Sequence, residues 1–376
     1  MNEYLKFYEK YKISPVTPNI NNFKEHVKKR ANLYRELSIL PITIKDRDIL
    51  EIGPAGGYNA LATYTFNPKS YTLIEPNSTG YTELTKNFEN IMCKKNIFIY
   101  NIAFENFNPN RKYDIIICEG LIPGLENKDV FINKILNLLN EDGIIVITAI
   151  DQIAVLFEII RKYIANCLTK NIEDIDEKVE LLIKVFESHL RTLKGMTRKH
   201  RDWCLDNLIG DAIFEHTLTI DHVIDLLQDN FYFLGSSPGI FTNFTWYKEL
   251  PTNALEYNNI FKEQFFLQWH NFIDYRYIQP KRTIDQNTEL GKYCLDLIIA
   301  IKNNIPKKSI INILLKIKEN LLSGGNHITV KSIEEIIHLL HKKINYENIN
   351  KLSYFQSAFG RGQSYISFTK RCTHDE

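Results

Sequence analysis

The stretch Asp48-Ile-Leu-Glu-Ile-Gly-Pro-Ala-Gly-Gly-Tyr-Asn59 constrains this chain more than any other. A short apolar run meets an acid at Glu51, breaks into Gly53, Gly56 and Gly57, and continues as the helix-like run Ala60-Leu-Ala-Thr-Tyr64. Strand, acid, glycine turn and helix form the element with which open α/β sheets hold a nucleotide-like ligand at a strand's carboxyl end. Glycine suits such a turn because it reaches positive φ and leaves no Cβ in the ligand's path.

Counting the turn narrows the ligand. A dinucleotide fingerprint starting at Gly53 needs glycines at 55 and 58, where the chain has Ala55 and Tyr58, and a phosphate loop needs a Gly-Lys-Ser/Thr ending that is missing. What remains is acid-x-Gly-x-Ala-x-Gly, carried by Glu51, Gly53, Ala55 and Gly57, with a second acid at Glu75 closing the next strand.

Around this turn, β-branched runs alternate with helical ones. Strands are expected at 49–52, 71–74, 97–100, 113–118 and 143–149, and helices at 81–90 and 130–139, the pattern of a parallel sheet buried on both faces. Phe23 to Leu40 reads as an amphipathic helix stopped by Pro41. Residues 152–217 read as helical throughout. A helix at 220–227, a strand at 231–234 and a strand near 244–247 then close the sheet with an antiparallel hairpin. Helices follow at 256–275, 290–302, 308–321 and 330–345, and the chain ends in an alternating strand after Gly360-Arg-Gly-Gln363. A lone strand leaves its backbone groups unsatisfied, so this last one is expected to pair. The division expected is a helical cap over 1–40, a sheet domain over 41–250 with a helical insertion at 152–217, and a mostly helical portion over 251–376 ending in a strand.

At this point the residues resemble the class I S-adenosylmethionine-dependent methyltransferases, over roughly 45–150 and, more loosely, 218–248. The resemblance implies a Rossmann-like seven-stranded α/β sheet, mostly parallel with an antiparallel final hairpin, and S-adenosyl-L-methionine as cofactor. By the same resemblance Glu51, Gly53, Pro54, Ala55, Gly57 and Asn59 line the methionine part of the cofactor. Glu75, followed by Pro76, holds the ribose hydroxyls, Asn101, Ile102 and Ala103 flank the adenine, and Cys118-Glu119-Gly120 faces the reacting methyl. A carboxylate suits a ribose diol because it accepts two charge-assisted hydrogen bonds.

Methyl transfer to oxygen or nitrogen also needs a proton acceptor. Glu119, at the end of the fourth strand, and His200, beside Arg201 and Trp203, are the candidates. His189 and His216 belong to the same insertion, and packing or surface roles suit them better. Arg201, Trp203, Asn207, Arg361 and Gln363 are the acceptor-side candidates. The basic run 191–201 reads first as a solvated helix face. Arg30, Tyr34 and Arg35 precede the turn as a lid, with packing the simpler role for Tyr34.

Composition excludes several alternatives. A net charge of +1 gives no electrostatic case for nucleic acid or an acidic membrane. The Asn/Asp-Pro-Pro-aromatic signature of base-amino methylation is missing, because Cys118-Glu-Gly-Leu-Ile-Pro123 stands in its place. The six cysteines form no C-x-x-C, and no Cys/His pair has zinc spacing, so free thiols in a reduced, cytoplasmic setting and no metal are expected. The expected activity is transfer of a methyl group to a small polar metabolite, such as a sugar or natural-product intermediate. Alternatives are a protein side chain as acceptor, or a non-catalytic scaffold used for assembly. A homodimer is compatible with either.

Overall fold

Seven strands form one sheet in the order β3-β2-β1-β4-β5-β7-β6. They are β1 (Asp48–Ile52), β2 (Ser70–Ile74), β3 (Ile97–Tyr100), β4 (Tyr113–Cys118), β5 (Leu139–Ala149), β6 (Phe231–Ser237) and β7 (Ser364–Lys370). The structure is a computed structural model and describes residues 3–12, 22–89, 96–196, 198–210, 217–227, 231–240 and 243–370. Strands β1 to β5 are parallel, and β7 runs antiparallel to both β5 and β6.

The antiparallel end is as expected, but its pairing is not. Residues 243–246 form no strand, and Phe244 and Trp246 there are 94% and 58% exposed. The partner of β6 is instead the last strand of the chain, which inserts between β5 and β6 with Ile366 opposite both Ile147 and Ser236. An aromatic-rich segment resembles a strand locally, whereas β7 offers two neighbours to which its backbone can bond. The final hairpin is thus replaced by a pairing between distant segments.

One face of the sheet explains where the site residues come to lie. Strand side chains alternate, so Ile49 and Glu51, Tyr71 and Leu73, and Ile115 and Ile117 point to the same side. The apolar members of that row pack with Tyr34 and Leu37 of the first long helix and its end, Leu61 of the helix Tyr58–Tyr64, and Leu84 and Phe88 of the helix Ser78–Phe88. Glu51 continues this row to the carboxyl edge, and so does Glu119 in the loop after β4. The first long helix, Phe23–Glu36, is capped by Asn22, and Pro41 opens a further short helix, Pro41–Ile44, rather than merely stopping the one before it. Its ring fixes φ at a first-turn position where no N–H is needed.

The chain divides into two compact units. The first, 1–149, 218–264 and 363–376, holds the sheet. The second, 150–217 and 265–362, is helical, with Leu156–Thr169, Ile175–Leu190, Ile284–Lys302, Lys307–Ser323 and His327–His341 as its main members. The helix Ile284–Lys302 starts earlier than its apolar period suggests because Thr283 and Gln286 form a reciprocal capping box. Within this unit Arg161 is fully buried: it donates to the carbonyls of Phe355 (3.0 Å) and Ala358 (2.8 Å), with its guanidinium 3.7 Å from the Phe359 ring centre. Asp151 accepts hydrogen bonds from the N–H groups of Ile153 and Ala154 and from Trp269 Nε1 at 2.9 Å. Among the described residues, no helix is long and apolar enough to cross a membrane, and no group of three or more His, Cys, Asp or Glu is placed to hold a metal ion.

Candidate functional site

The glycine turn leaves β1 through three positive-φ residues, Gly53 (φ 71°), Ala55 (φ 50°) and Gly57 (φ 76°). Gly57 admits no side chain, since a Cβ would collide with Leu84 of the helix Ser78–Phe88. Ala55 takes the same left-handed backbone with its methyl present, which costs about 1–2 kcal/mol for an L-residue. The helix Tyr58–Tyr64 begins directly after the turn, so its free N–H groups face the carboxyl edge.

Glu75 closes this turn from the end of β2. Its carboxylate accepts Ala55 N–H at 2.7 Å and Asn77 N–H at 2.8 Å, and it is 5% exposed. Burial pushes its proton affinity up, to a pKa of about 7, against the opposing pull of the two amides. Asn101 braces the same corner by donating to the Glu75 carbonyl at 2.8 Å and to the Pro76 carbonyl at 3.4 Å. Ile102 and Ala103 follow β3, half-buried.

At the other side of the turn stands a buried ion pair. Arg30, on the helix Phe23–Glu36, grips Glu119 with two bonds, Nη2 to Oε1 at 2.6 Å and Nη1 to Oε2 at 3.1 Å. Both side chains are at most 10% exposed. Asn59 Nδ2 adds a longer contact to Glu119 at 3.4 Å. Arg30 also donates to Tyr34 Oη at 3.0 Å, and that hydroxyl shares a 2.6 Å hydrogen bond with Thr63. Burial alone would pull the Arg30 pKa down, but Glu119 beside it holds it well above its ordinary value. Glu51 is the second acid of this cluster and accepts a hydrogen bond from the buried Tyr71 hydroxyl. Burial first, then the charge of Glu119, raise the Glu51 pKa to about 7.

These residues fit a ligand with a diol at one end and an anionic group at the other. Arg30 Nε and Asn77 Nδ2 are buried with no acceptor among the described residues, one near each end of the turn. Gly120 (φ 75°) follows Glu119 and donates its N–H to Thr148 Oγ1 at 2.7 Å. The Gln363 side chain would lie 3.5 Å from a Cβ at Gly120, so the entry to β7 reaches the same edge. The sequence suggests a lid for Arg30 and packing for Tyr34. Sequence reasoning misses that Arg30 bonds the acid after β4 and that Tyr34 accepts from Arg30.

The remaining expected residues belong to the second unit. His200 is half-buried and opens the short helix His200–Cys204. Arg201 is exposed and pairs with Asp176 at 2.8 Å, Trp203 is buried, and Asn207 donates to the Trp203 carbonyl at 3.0 Å. The basic run is not one helix face: residues 191–196 and 198–199 connect two helices, and Arg191 and Arg198 pair with Glu187 and Asp206. Arg361 contributes its N–H to the Phe272 carbonyl at 2.8 Å. His189 is fully buried against Phe186 and Phe355, and burial pulls its pKa down to about 2, so it packs as a neutral ring. His216 lies outside the described residues.

Residues 23–173 match the methyltransferase domain family. Two relatives are ubiquinone biosynthesis O-methyltransferases. The protein from Rickettsia typhi is 26% identical over 186 residues, covering 46% of this chain and 72% of that protein. The one from Rickettsia canadensis is 27% identical over 150 residues, covering 39% of this chain and 58% of that protein. Among solved structures, PKMT2 from Rickettsia typhi in complex with AdoHcy aligns with a TM-score of 0.41 at 14% identity, over 63% of this chain and 50% of that one.

Proposed function

We propose that this chain, whose residues 23–173 match the methyltransferase domain family, is a class I S-adenosylmethionine-dependent enzyme that transfers a methyl group to a hydroxyl of a small polar metabolite. The observation that carries the cofactor assignment is the turn itself, held open by Glu75 on one side and by the Arg30–Glu119 pair on the other. In this reading Glu75 holds the ribose diol, and Arg30, a buried cation bonded at that edge, holds the α-carboxylate. Asn101, Ile102 and Ala103 border the base. The cofactor supplies an electrophilic methyl on a sulfonium.

What the chain itself does is position, exclude water and take up a proton. Glu119 is the carboxylate we assign to proton removal, since it follows β4 at the reacting edge. Its Oε1 accepts one Arg30 bond and keeps a second lone pair for the acceptor's hydroxyl. Gln363 stands next to Gly120 and is assigned to orienting the acceptor. The names of the two curated relatives favour oxygen over nitrogen as the nucleophile.

The test is label transfer from methyl-labelled cofactor into fractionated cell extract. Label in the small-molecule fraction, lost with Glu75→Ala, is expected. Label confined to the protein fraction would overturn the choice of acceptor, and no cofactor-dependent labelling at all would overturn the activity.

A further inference from the structure

Glu51 and Glu119 follow the same strand parity and arrive on one face of the sheet, where among the described residues one cation, Arg30, is bonded to Glu119. Two sets of bonds serve the two acids: Tyr71 donates to Glu51, while Arg30 grips Glu119 at 2.6 and 3.1 Å and donates at 3.0 Å to Tyr34, which shares a 2.6 Å bond with Thr63. The groups that face Glu51 are Tyr71 from β2, Cys118 and Glu119 from the end of β4, and Arg30 and Tyr34 from the helix Phe23–Glu36. Burial holds both phenols and the thiol in their neutral forms, leaving two carboxylates and one guanidinium. With both acids ionised, the cluster carries one uncompensated negative charge.

We infer that this excess charge makes the site distinguish the sulfonium cofactor from its neutral thioether product, with Glu51 as the discriminating acid and Tyr71 as the residue that positions it. The inference rests on the cofactor reading above. S-adenosylmethionine has a carboxylate, an ammonium and a sulfonium, a net charge of +1. S-adenosylhomocysteine has lost the sulfonium charge and is neutral overall. Ribose, adenine, carboxylate and ammonium are common to both, so their contacts cancel in the ratio of the two affinities. Only groups that sense the sulfonium charge survive in that ratio, and Glu75, which faces the ribose, drops out. A buried carboxylate left without its own cation interacts with a nearby charge far more strongly than one in water. The charge at Glu51 depends on pH in the neutral range, because burial and Glu119 raise its pKa to about 7 while the Tyr71 hydroxyl and Arg30 oppose them. Discrimination should therefore be weak when Glu51 is protonated and strong when it is ionised.

The experiment is calorimetric titration of the full chain with S-adenosylmethionine and, separately, S-adenosylhomocysteine, from about pH 5.5 to about pH 7.5, below the range of an ordinary α-amine. The dissociation-constant ratio, product over cofactor, is expected to rise with pH by on the order of tenfold, the size of one charge–charge term at an effective dielectric of about 20 over roughly 12 Å. Glu51→Gln should hold the ratio flat at its low-pH value. Tyr71→Phe should move the rise to higher pH, because the donor that favours the ionised acid is gone. A ratio that does not change with pH in the unsubstituted chain overturns the inference without recourse to any variant. So does a rise that Glu51→Gln leaves intact. An unmoved midpoint in Tyr71→Phe removes Tyr71 from the account. If neither compound binds at any pH, the cofactor reading itself fails and this inference with it; binding of both with a flat ratio sinks only the discrimination.

Discussion

Replacing Arg30 by Met removes the only cation bonded to Glu119 among the described residues and leaves two carboxylates, Glu119 and Glu51, on one buried face. The guanidinium and carboxylate side chains are 7% and 10% exposed, so solvent screens the pair little. Breaking such a buried pair by removing one partner costs about 3–5 kcal/mol, because the surviving charge loses its partner and gains no water. The substitution also takes a donor from Tyr34, whose hydroxyl keeps its 2.6 Å bond to Thr63, so this adds little. The double substitution Arg30→Met/Glu119→Leu removes both charges, and apolar replacements of a buried pair are commonly neutral or better. The double variant should therefore recover most of the loss, a coupling of at least about 2 kcal/mol. Urea denaturation followed by far-ultraviolet circular dichroism measures the stabilities, and hydrogen exchange of the β1 and β4 amides assigns the change to the sheet. Since the pair is buried, added salt should leave the coupling unchanged. If Arg30→Met costs less than about 1 kcal/mol, or the double variant is as unstable as the single, the two groups are not a strongly coupled buried ion pair.

Three further outcomes follow from the geometry. Ala55→Gly relieves a left-handed alanine (φ 50°) and should stabilise the chain by about 0.5–1 kcal/mol in the same titration, the unfolded-state entropy of glycine offsetting part of the gain. Glu51 and Glu75 bind their protons more tightly when folded than unfolded, so their contribution is fully present below about pH 4.5 and is lost as pH rises towards about 7. The rise from 4.5 to about 7 is worth at most about 3 kcal/mol for each. Stability should therefore fall across that window, and Glu51→Gln with Glu75→Gln should flatten the fall. In the second unit Gly291 lies against the Trp269 indole, where a Cβ would come within 2.5 Å of Cη2. Gly291→Ala should cost about 1–3 kcal/mol by overpacking, with Trp269 fluorescence reporting the shift.

The parallel part of the sheet was legible because each of its strands is a short β-branched run with a turn at its end. Ile115-Ile-Ile117 and Ile144-Ile-Val-Ile147 could hardly be anything but buried strands. The antiparallel end was not legible in the same way. Strand β6 and segment 244–247 are close in sequence, and proximity favoured a hairpin. The actual partner, Ser364–Lys370, lies beyond residues 238–363, and no local pattern reports so distant a pairing. Its alternation did announce a strand in need of neighbours, which is why the pairing was expected while the partner's identity was not. Residues 191–199 failed for a related reason: their charges suit an exposed helix, but Arg191 and Arg198 are engaged by Glu187 and Asp206 in a connection between helices.

At the site, the acids were readable and their neighbours were not. Glu51 and Glu75 stand at strand ends next to a glycine turn, a placement visible without coordinates. Parity alone would also have put Glu119 on the face of Glu51, since Ile115, Ile117 and Glu119 alternate as Ile49 and Glu51 do. Two acids converging on one buried face require a cation, and that requirement could have directed attention to the first helix, where Arg30 and Tyr34 are spaced one turn apart. Residues four apart lie on the same side of a helix, so both polar tips point the same way. The helix packs Tyr34 into the core beside the turn, and Arg30 follows it inward to the acids. The lesson is one of charge balance rather than motif: a buried carboxylate found by strand parity predicts a partner on whichever helix covers that face. Here one arginine meets two acids, and the remaining charge is what a cationic cofactor can answer.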